Sequence, residues 1–207
     1  MDANSFRIPV TLRGRYIELV PMQREHREAL LAAARDPAVF RYLRVGPVRS
    51  LADMDHVIDT IAAEQVAGTA LPFTTVLLPE RRPIGMTRFL RIERENRSVE
   101  IGGTWIAPEY WRTPVNSESK FLLLRHAFDV ERAHRVQLQT DARNERSQAA
   151  IARLGAVREG VHREDALLPD DYLRSSVFFS ILEGEWPKVR ARLEAALARP
   201  WTRPASP

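Results

Sequence analysis

The sequence predicts a single α/β domain over its 207 residues, built on a mixed, mostly antiparallel sheet with helices on both faces and a helix at the C-terminus. Three observations predict it. Three β-rich runs, "LPFTTVLLP", "RPIGMTRFLRIE" and "SVEIGGTWIAP", are joined only by the short polar connections "PERRP" and "ERENR", which favour an antiparallel meander. The order strand, helix, strand that follows, through "NSESKFLLLRHAFDVE" to "RVQLQTD", requires a crossover and a locally parallel pair. No shift of composition and no linker interrupts the alternation, so no domain boundary is expected.

The elements follow in chain order. "RYIELV" (15–20) alternates as a half-buried strand does, and "MQREHREALLAAAR" places Leu30, Leu31 and Ala34 at helical spacing. "SLADMDHVIDTIAAEQVAG" offers Ser50 or Asp53 as N-cap, Val57, Ile58 and Ile61 as an apolar stripe, and Gly68 as a stop. After the meander, the helix over "NSESKFLLLRHAFDVE" carries Leu123, Leu124, Ala127 and Phe128 on one side. In "NERSQAAIARLG", Asn144 caps a short helix and Gly155 ends it. "AVREGVHRE" and "YLRSSVFFSIL" read as a closing hairpin with "DALLPDD" as its loop, and "EWPKVRARLEAALAR" as an amphipathic C-terminal helix. Residues 1–11 and 200–207 are expected to be flexible.

Composition narrows the chemistry. The chain has no cysteine, which removes disulfides, thiolate metal sites and any mechanism through a cysteine nucleophile. The five histidines show no i, i+4 pair, so no metal site is expected. A net charge of +4 arises from arginines scattered among carboxylates, which suits an anionic ligand better than a nucleic acid; there is neither a basic stripe with aromatics nor a reading helix. No stretch approaches the ~20 apolar residues of a membrane helix, and the expected location is cytoplasmic.

The stretch "WRTPVNSESK" (111–120) passes from strand to helix, where first-turn N–H groups and the helix dipole can hold a phosphate. Pro114 has no N–H to give, and a plain helix start with Thr113 or Asn116 as cap explains the stretch equally well. With its surroundings, "VEIGGTWIAPEYWRTPVNSESKFLLLRHAF…RVQLQTDARNERSQAAIARLGAVREGVHR", it resembles the GNAT acyl-CoA N-acyltransferases, and most closely the branch holding ribosomal-protein N-terminal acetyltransferases. The resemblance runs from "LRGRYIELVPM" to "EGEWPKVRARLEAAL". It implies a GNAT-like sheet and acetyl-CoA as co-substrate. In the family the strand-to-helix turn is Q/R-x-x-G-x-G/A and wraps the coenzyme A pyrophosphate. Here Trp111, Pro114 and Asn116 stand at the three key positions, and all depart from that pattern. The resemblance places the cofactor on Ile106, Arg112, Thr113, Val115, Asn116, Ser117 and Asn144, with the amides of residues 115–118 as donors. Gly102 and Gly103 fall where the family's strand bulges away from its neighbour and the pantetheine arm pairs with the freed backbone.

Acyl transfer to an amine needs a neutral amine, a polarised carbonyl and a stabilised or protonated thiolate. Without cysteine, the expected route is direct attack in a ternary complex. Glu100, on the strand that resembles the one bearing the family's frequent carboxylate, is the candidate base; alternation sets it opposite Val99 and Ile101, facing either the cleft or solvent. The family's usual tyrosine acid falls on Ile151 and is absent. The ribosomal-protein branch uses a serine in N-x-x-S instead, which "NERS" supplies as Asn144 and Ser147; a helix cap explains the same residues. A second carboxylate of that branch falls on Ala166, beside Glu164 and Asp165. The acceptor is a protein N-terminus or a small amine such as a polyamine or aminoglycoside, a non-catalytic acyl-CoA-binding protein on the same fold is the alternative, and edge strands leave room for a homodimer.

Overall fold

Alternating apolar residues and two short polar turns fold residues 70–106 into the meander at the centre of an eight-stranded sheet, seen in a computed structural model that describes residues 6–201. The strands are β1 (Leu12–Arg13), β2 (Ile17–Pro21), β3 (Ala70–Leu77), β4 (Arg82–Glu93), β5 (Ser98–Ile106), β6 (Arg135–Asp141), β7 (Val157–Leu167) and β8 (Leu173–Leu182), in the spatial order 1-2-3-4-5-6-8-7. All neighbours are antiparallel except β5 and β6, the pair joined by the predicted crossover.

Among the described residues, five α-helices cover the two faces: α1 (Arg27–Ala33), α2 (Leu51–Val66), α3 (Pro114–Arg125), α4 (Glu145–Leu154) and α5 (Trp186–Leu197). One core lies beneath α3 and α5, where Val99, Ile101, Val136, Leu138, Val177 and Phe179 of the sheet meet Leu122, Leu123, Trp186 and Val189. A second, smaller core packs Leu30 of α1 and Met54, Ile58 and Ile61 of α2 over Met86 and Trp105. The sequence signals that end the helices act as expected. Ser50 and Asp53 form a reciprocal capping box at α2, Asn144 caps α4 by accepting from the Ser147 amide, and Gly155 closes α4 at φ 104°, a conformation that a side chain would strain.

Helix α3 buries polar as well as apolar residues because it lies between the sheet and α5; Glu118, Ser119 and Lys120 are all inside. Glu118 compensates for its burial by accepting three backbone N–H bonds, from Arg15 (2.7 Å), Tyr16 (2.8 Å) and Ile17 (2.9 Å), so one carboxylate fastens the β1–β2 turn to α3. Gly14 belongs to the same clamp: a Cβ there would lie 2.5 Å from the Glu118 carboxyl carbon.

Two expectations need correction or restriction. The loop "DALLPDD" is shorter than expected, since β7 continues through Leu167 and pairs Leu167 with Leu173. Of the ends expected to be flexible, residues 1–5 and 202–207 lie outside the described residues. Within them, Phe6 is buried edge-on against Phe89, and Trp201 packs edge-on against Tyr16.

Candidate active site

The parallel ladder between β5 and β6 lasts only three residue pairs, Ser98 with Arg135, Val99 with Val136 and Glu100 with Gln137. Beyond Glu100 the two strands diverge. The cause lies on the other side of β5. Against β4 the register steps from Met86–Trp105 to Arg88–Gly102, so Thr87 faces two residues, Gly103 and Thr104, in a β-bulge with Gly103 at φ 57°. A cleft of about 640 Å³ opens into the gap, lined by the diverging strands, the loop before α2 and the first turns of α3 and α4.

The bulge also shifts the alternation by one residue. Glu100 lies on the α2 side, while Thr104 turns toward α3 and meets Lys120. The cleft therefore has a different titratable group on each face of the sheet.

Glu100 faces the cleft and is buried, with 3% of its surface exposed. Its carboxylate accepts from Gln137 Nε2 (3.0 Å) and Gln139 Nε2 (2.9 Å) and lies 3.5 Å from Arg91. Alternation along β6 puts both glutamines on the face opposite Val136 and Leu138, which is why they reach Glu100. The open choice between cleft and solvent thus resolves to the cleft, in a setting that fixes the carboxylate by two amide donors.

The turn before α3 is built without glycine, at a local cost. Arg112 takes φ 63°, a left-handed conformation that costs a non-glycine residue on the order of 1 kcal/mol. Trp111 holds the turn by donating its indole N–H to the Ile106 carbonyl at 3.1 Å, and the Arg146 guanidinium stacks 3.7 Å above its ring. Thr113 caps the helix: its hydroxyl accepts from the Val115 amide and donates to the Tyr110 carbonyl at 2.7 Å.

These contacts correct the expected donor set. Val115 lies in the core with no exposed surface, and its amide is taken by Thr113. A helix that starts at Pro114 commits the amides of Ser117 and Glu118 to the carbonyls of Thr113 and Pro114. Asn116 is left as the open first-turn N–H. Ile106, Arg112, Thr113, Asn116, Ser117, Asn144 and Ser147 all border the cleft, as does Glu100; Val115 does not. Ile151, at the position of the missing tyrosine, is a buried core residue at the cleft wall.

Positive charge stands where glycine amides are missing. Arg112 and Arg146 line the cleft at the starts of α3 and α4, Arg153 in the last turn of α4 and Arg192 on α5, and Arg44, Arg88, Arg91 and Arg174 line it elsewhere. Arg44 pairs with Asp165 (2.9 Å), Arg88 with Glu64, and Arg174 is held by Ser176 Oγ (3.0 Å) and the Tyr42 carbonyl (3.1 Å). Asp165, beside the position of the branch's second carboxylate, is thus occupied by an arginine.

Lys120 escapes the motif-based reading. It is 6% exposed, lines the cleft, and donates from Nζ to Thr104 Oγ1, which in turn shares a hydrogen bond with Thr87 Oγ1 at 2.7 Å. Burial pushes its ammonium down to about 7. The signal that points to it is compositional: of 31 Lys and Arg residues only Lys120 and Lys188 are lysine.

A family model for an acetyltransferase (GNAT) domain matches residues 17–157. The curated protein named "Putative ribosomal N-acetyltransferase YdaF" from Bacillus subtilis (strain 168) is 31% identical over 102 residues, which is 49% of this chain and 55% of that protein. The chain thus spans about half the length of that relative. A solved "putative acetyltransferase" from T. thermophilus is 39% identical, with a TM-score of 0.84 over 92% of this chain and 98% of that one. Mycobacterium smegmatis RimJ, solved in complex with CoA-disulfide, shares the fold at 20% identity, with a TM-score of 0.81 over 92% and 96% of the two chains. The strand that parts from its neighbour after three pairs, the cleft in the gap and the match over residues 17–157 agree: the chain belongs to the GNAT N-acetyltransferases.

Proposed function

We propose that this chain moves the acetyl group of acetyl-CoA onto a primary amine, foremost the N-terminus of a protein, by direct attack in a ternary complex. The observation that carries the proposal is the gap between β5 and β6, which opens beside a buried, cleft-facing carboxylate. Acetyl-CoA supplies an acyl group activated as a thioester. The residues that fit its anionic end are the Asn116 amide, the start of α3, and the arginines at 112 and 146. Ile106, Thr113, Ser117 and Asn144 border the same channel.

Glu100 is assigned the removal of the amine's proton, directly or through water, because its side chain faces the cleft and two glutamine amides hold it in one orientation. Ser147, in the first turn of α4, is assigned contact with the sulfur side of the thioester. The absence of cysteine rules out an acyl-cysteine intermediate.

Charge favours the acceptor class. Among the described residues, eight arginines line the cleft against one carboxylate, Glu100. A polyamine or aminoglycoside brings several positive charges into that field, whereas a protein N-terminus brings one. The names of YdaF, and of RimJ among the structural neighbours, point the same way. The test is thiol release from acetyl-CoA with peptides of varied N-terminal sequence beside spermidine and an aminoglycoside. Turnover of peptides with free N-termini, and none after their chemical blocking, is the expected result. Turnover confined to the polycations overturns the acceptor assignment, and thiol release from no amine overturns the enzymatic reading.

A further inference from the structure

We propose that Lys120 is the acid that protonates the departing coenzyme A thiolate, in place of the hydroxyl that Ile151 does not provide. The inference rests on the acetyl-transfer reading above and deepens it.

Three observations carry it. First, a fully charged lysine is hard to account for at this position. Lys120 is nine-tenths buried, its hydrogen-bond partner is the neutral Thr104 hydroxyl, and among the described residues it forms no ion pair. A buried cation without a counter-charge is costly unless it releases its proton or receives an anion. Second, arginine is this chain's ordinary cation, at 29 of 31 positions, and arginine cannot give up a proton in the physiological range. The buried cleft position holds one of the two lysines; the other, Lys188, is exposed on α5. Third, the bulge at Gly103 sets Lys120 and Glu100 on opposite faces of the sheet at the same opening. Along β5 the order is Glu100, the bulge, Thr104 with Lys120, then Ile106 and the turn at the start of α3. Lys120 thus stands between Glu100 and the turn at the start of α3, on the α3 face of the sheet. Its lowered proton affinity, caused by burial, suits a donor at neutral pH.

The step balances. The amine nitrogen forms a bond to the acetyl carbon and loses its proton to Glu100 or water. The carbon–sulfur bond breaks with its electron pair on sulfur, and Lys120 Nζ delivers a proton there, leaving free thiol and a neutral amine. Solvent then reprotonates Lys120.

The experiment compares wild type, Lys120→Met, Lys120→Arg and the control Lys188→Arg with an active peptide acceptor across pH 6 to 9.5. It also follows ionisation of the thiol of bound coenzyme A by its ultraviolet thiolate absorbance. Expected are an alkaline fall in kcat for wild type and for Lys188→Arg, and a loss of about 100-fold or more in Lys120→Met together with that limb. Lys120→Arg stays as slow as Lys120→Met, because it carries charge without a transferable proton. The bound thiol of Lys120→Met ionises at least one pH unit higher than that of wild type. A Lys120→Met protein that keeps the limb and stays within tenfold of wild type overturns the proposal. So does Lys120→Arg at the wild-type rate, which would mean that charge alone suffices. If wild type acetylates nothing, the enzymatic reading fails, while the thiol titration still decides the role of Lys120. Should Lys120→Met not fold, the single lysine of Lys188→Arg can be followed by side-chain NMR: displacement of its titration by coenzyme A is expected, and indifference overturns the proposal.

Discussion

Glu100 shows how much a side chain's partners decide. A glutamate in the middle of a strand is unremarkable in sequence, yet here it is held by the amides of Gln137 and Gln139 and faces the cleft. Replacing it by glutamine keeps the volume and removes the basic oxygen. We expect kcat to fall by about 10²–10⁴-fold with little change in the KM for acetyl-CoA, measured by steady-state thiol release. Lys120 makes a prediction about stability that is independent of activity. Its folded-state proton affinity lies near 7, below the ordinary 10.5, so between these values the unfolded chain binds more protons than the folded one. Stability therefore rises with pH through this window, and the penalty is complete below it. Lys120→Met should flatten that rise and stabilise the protein at pH 6 by roughly 1–4 kcal/mol, read from urea unfolding at several pH values. A stability that stays flat with pH in wild type would remove the burial argument.

Elements are joined at a few polar points. Glu118 fixes α3 to the β1–β2 turn through three amides, and each charge-assisted bond of this kind contributes about 1.5–3 kcal/mol in mutational series. Glu118→Ala leaves three buried or part-buried donors without their acceptor. We expect a loss of at least about 3 kcal/mol in unfolding free energy, and Glu118→Gln, with one acceptor oxygen, to fall between. The turn at the start of α3 has the opposite character, since Arg112 is strained where glycine would be relaxed. Arg112→Gly should weaken acetyl-CoA binding, by calorimetry, while leaving the unfolding midpoint unchanged or slightly raised. The element boundaries were legible because their signals are local: Asn144 and Gly155 cap and end α4 through neighbours in sequence, and the structure selects Ser50 over Asp53 and Thr113 over Asn116 from the caps the sequence offered. The extent of β7 was not, because Leu167 joins the strand only by pairing with Leu173 across the hairpin.

At the scale of the molecule, the cleft gathers eight arginines among the described residues, from the loop before α2, strands β4 and β8, the turn before α3, and helices α4 and α5, on a chain whose net charge is only +4. With one open first-turn amide in place of a glycine-rich cradle, binding of an anionic cofactor depends on charge. The Kd for acetyl-CoA should therefore weaken several-fold between about 0.05 and 0.5 M salt, measured by calorimetry, while the unfolding midpoint of the free protein moves little. An affinity indifferent to salt would return the weight to the backbone. The sequence by itself determined the order of the main strands and helices, the parallel crossover, the GNAT resemblance and the place of Glu100 within a strand, because each rests on periodicity, on local turn chemistry or on motifs in register. Only the tertiary structure decided that Glu100 faces the cleft, that Val115 is core and its amide committed to Thr113, and that Lys120 stands on the opposite face as a second titratable group. The physical reason is that these facts depend on a single bulged residue, Gly103, and on where α3 begins. A shift of one residue in register inverts which side chains face the ligand, and no window of sequence contains both strands that define it.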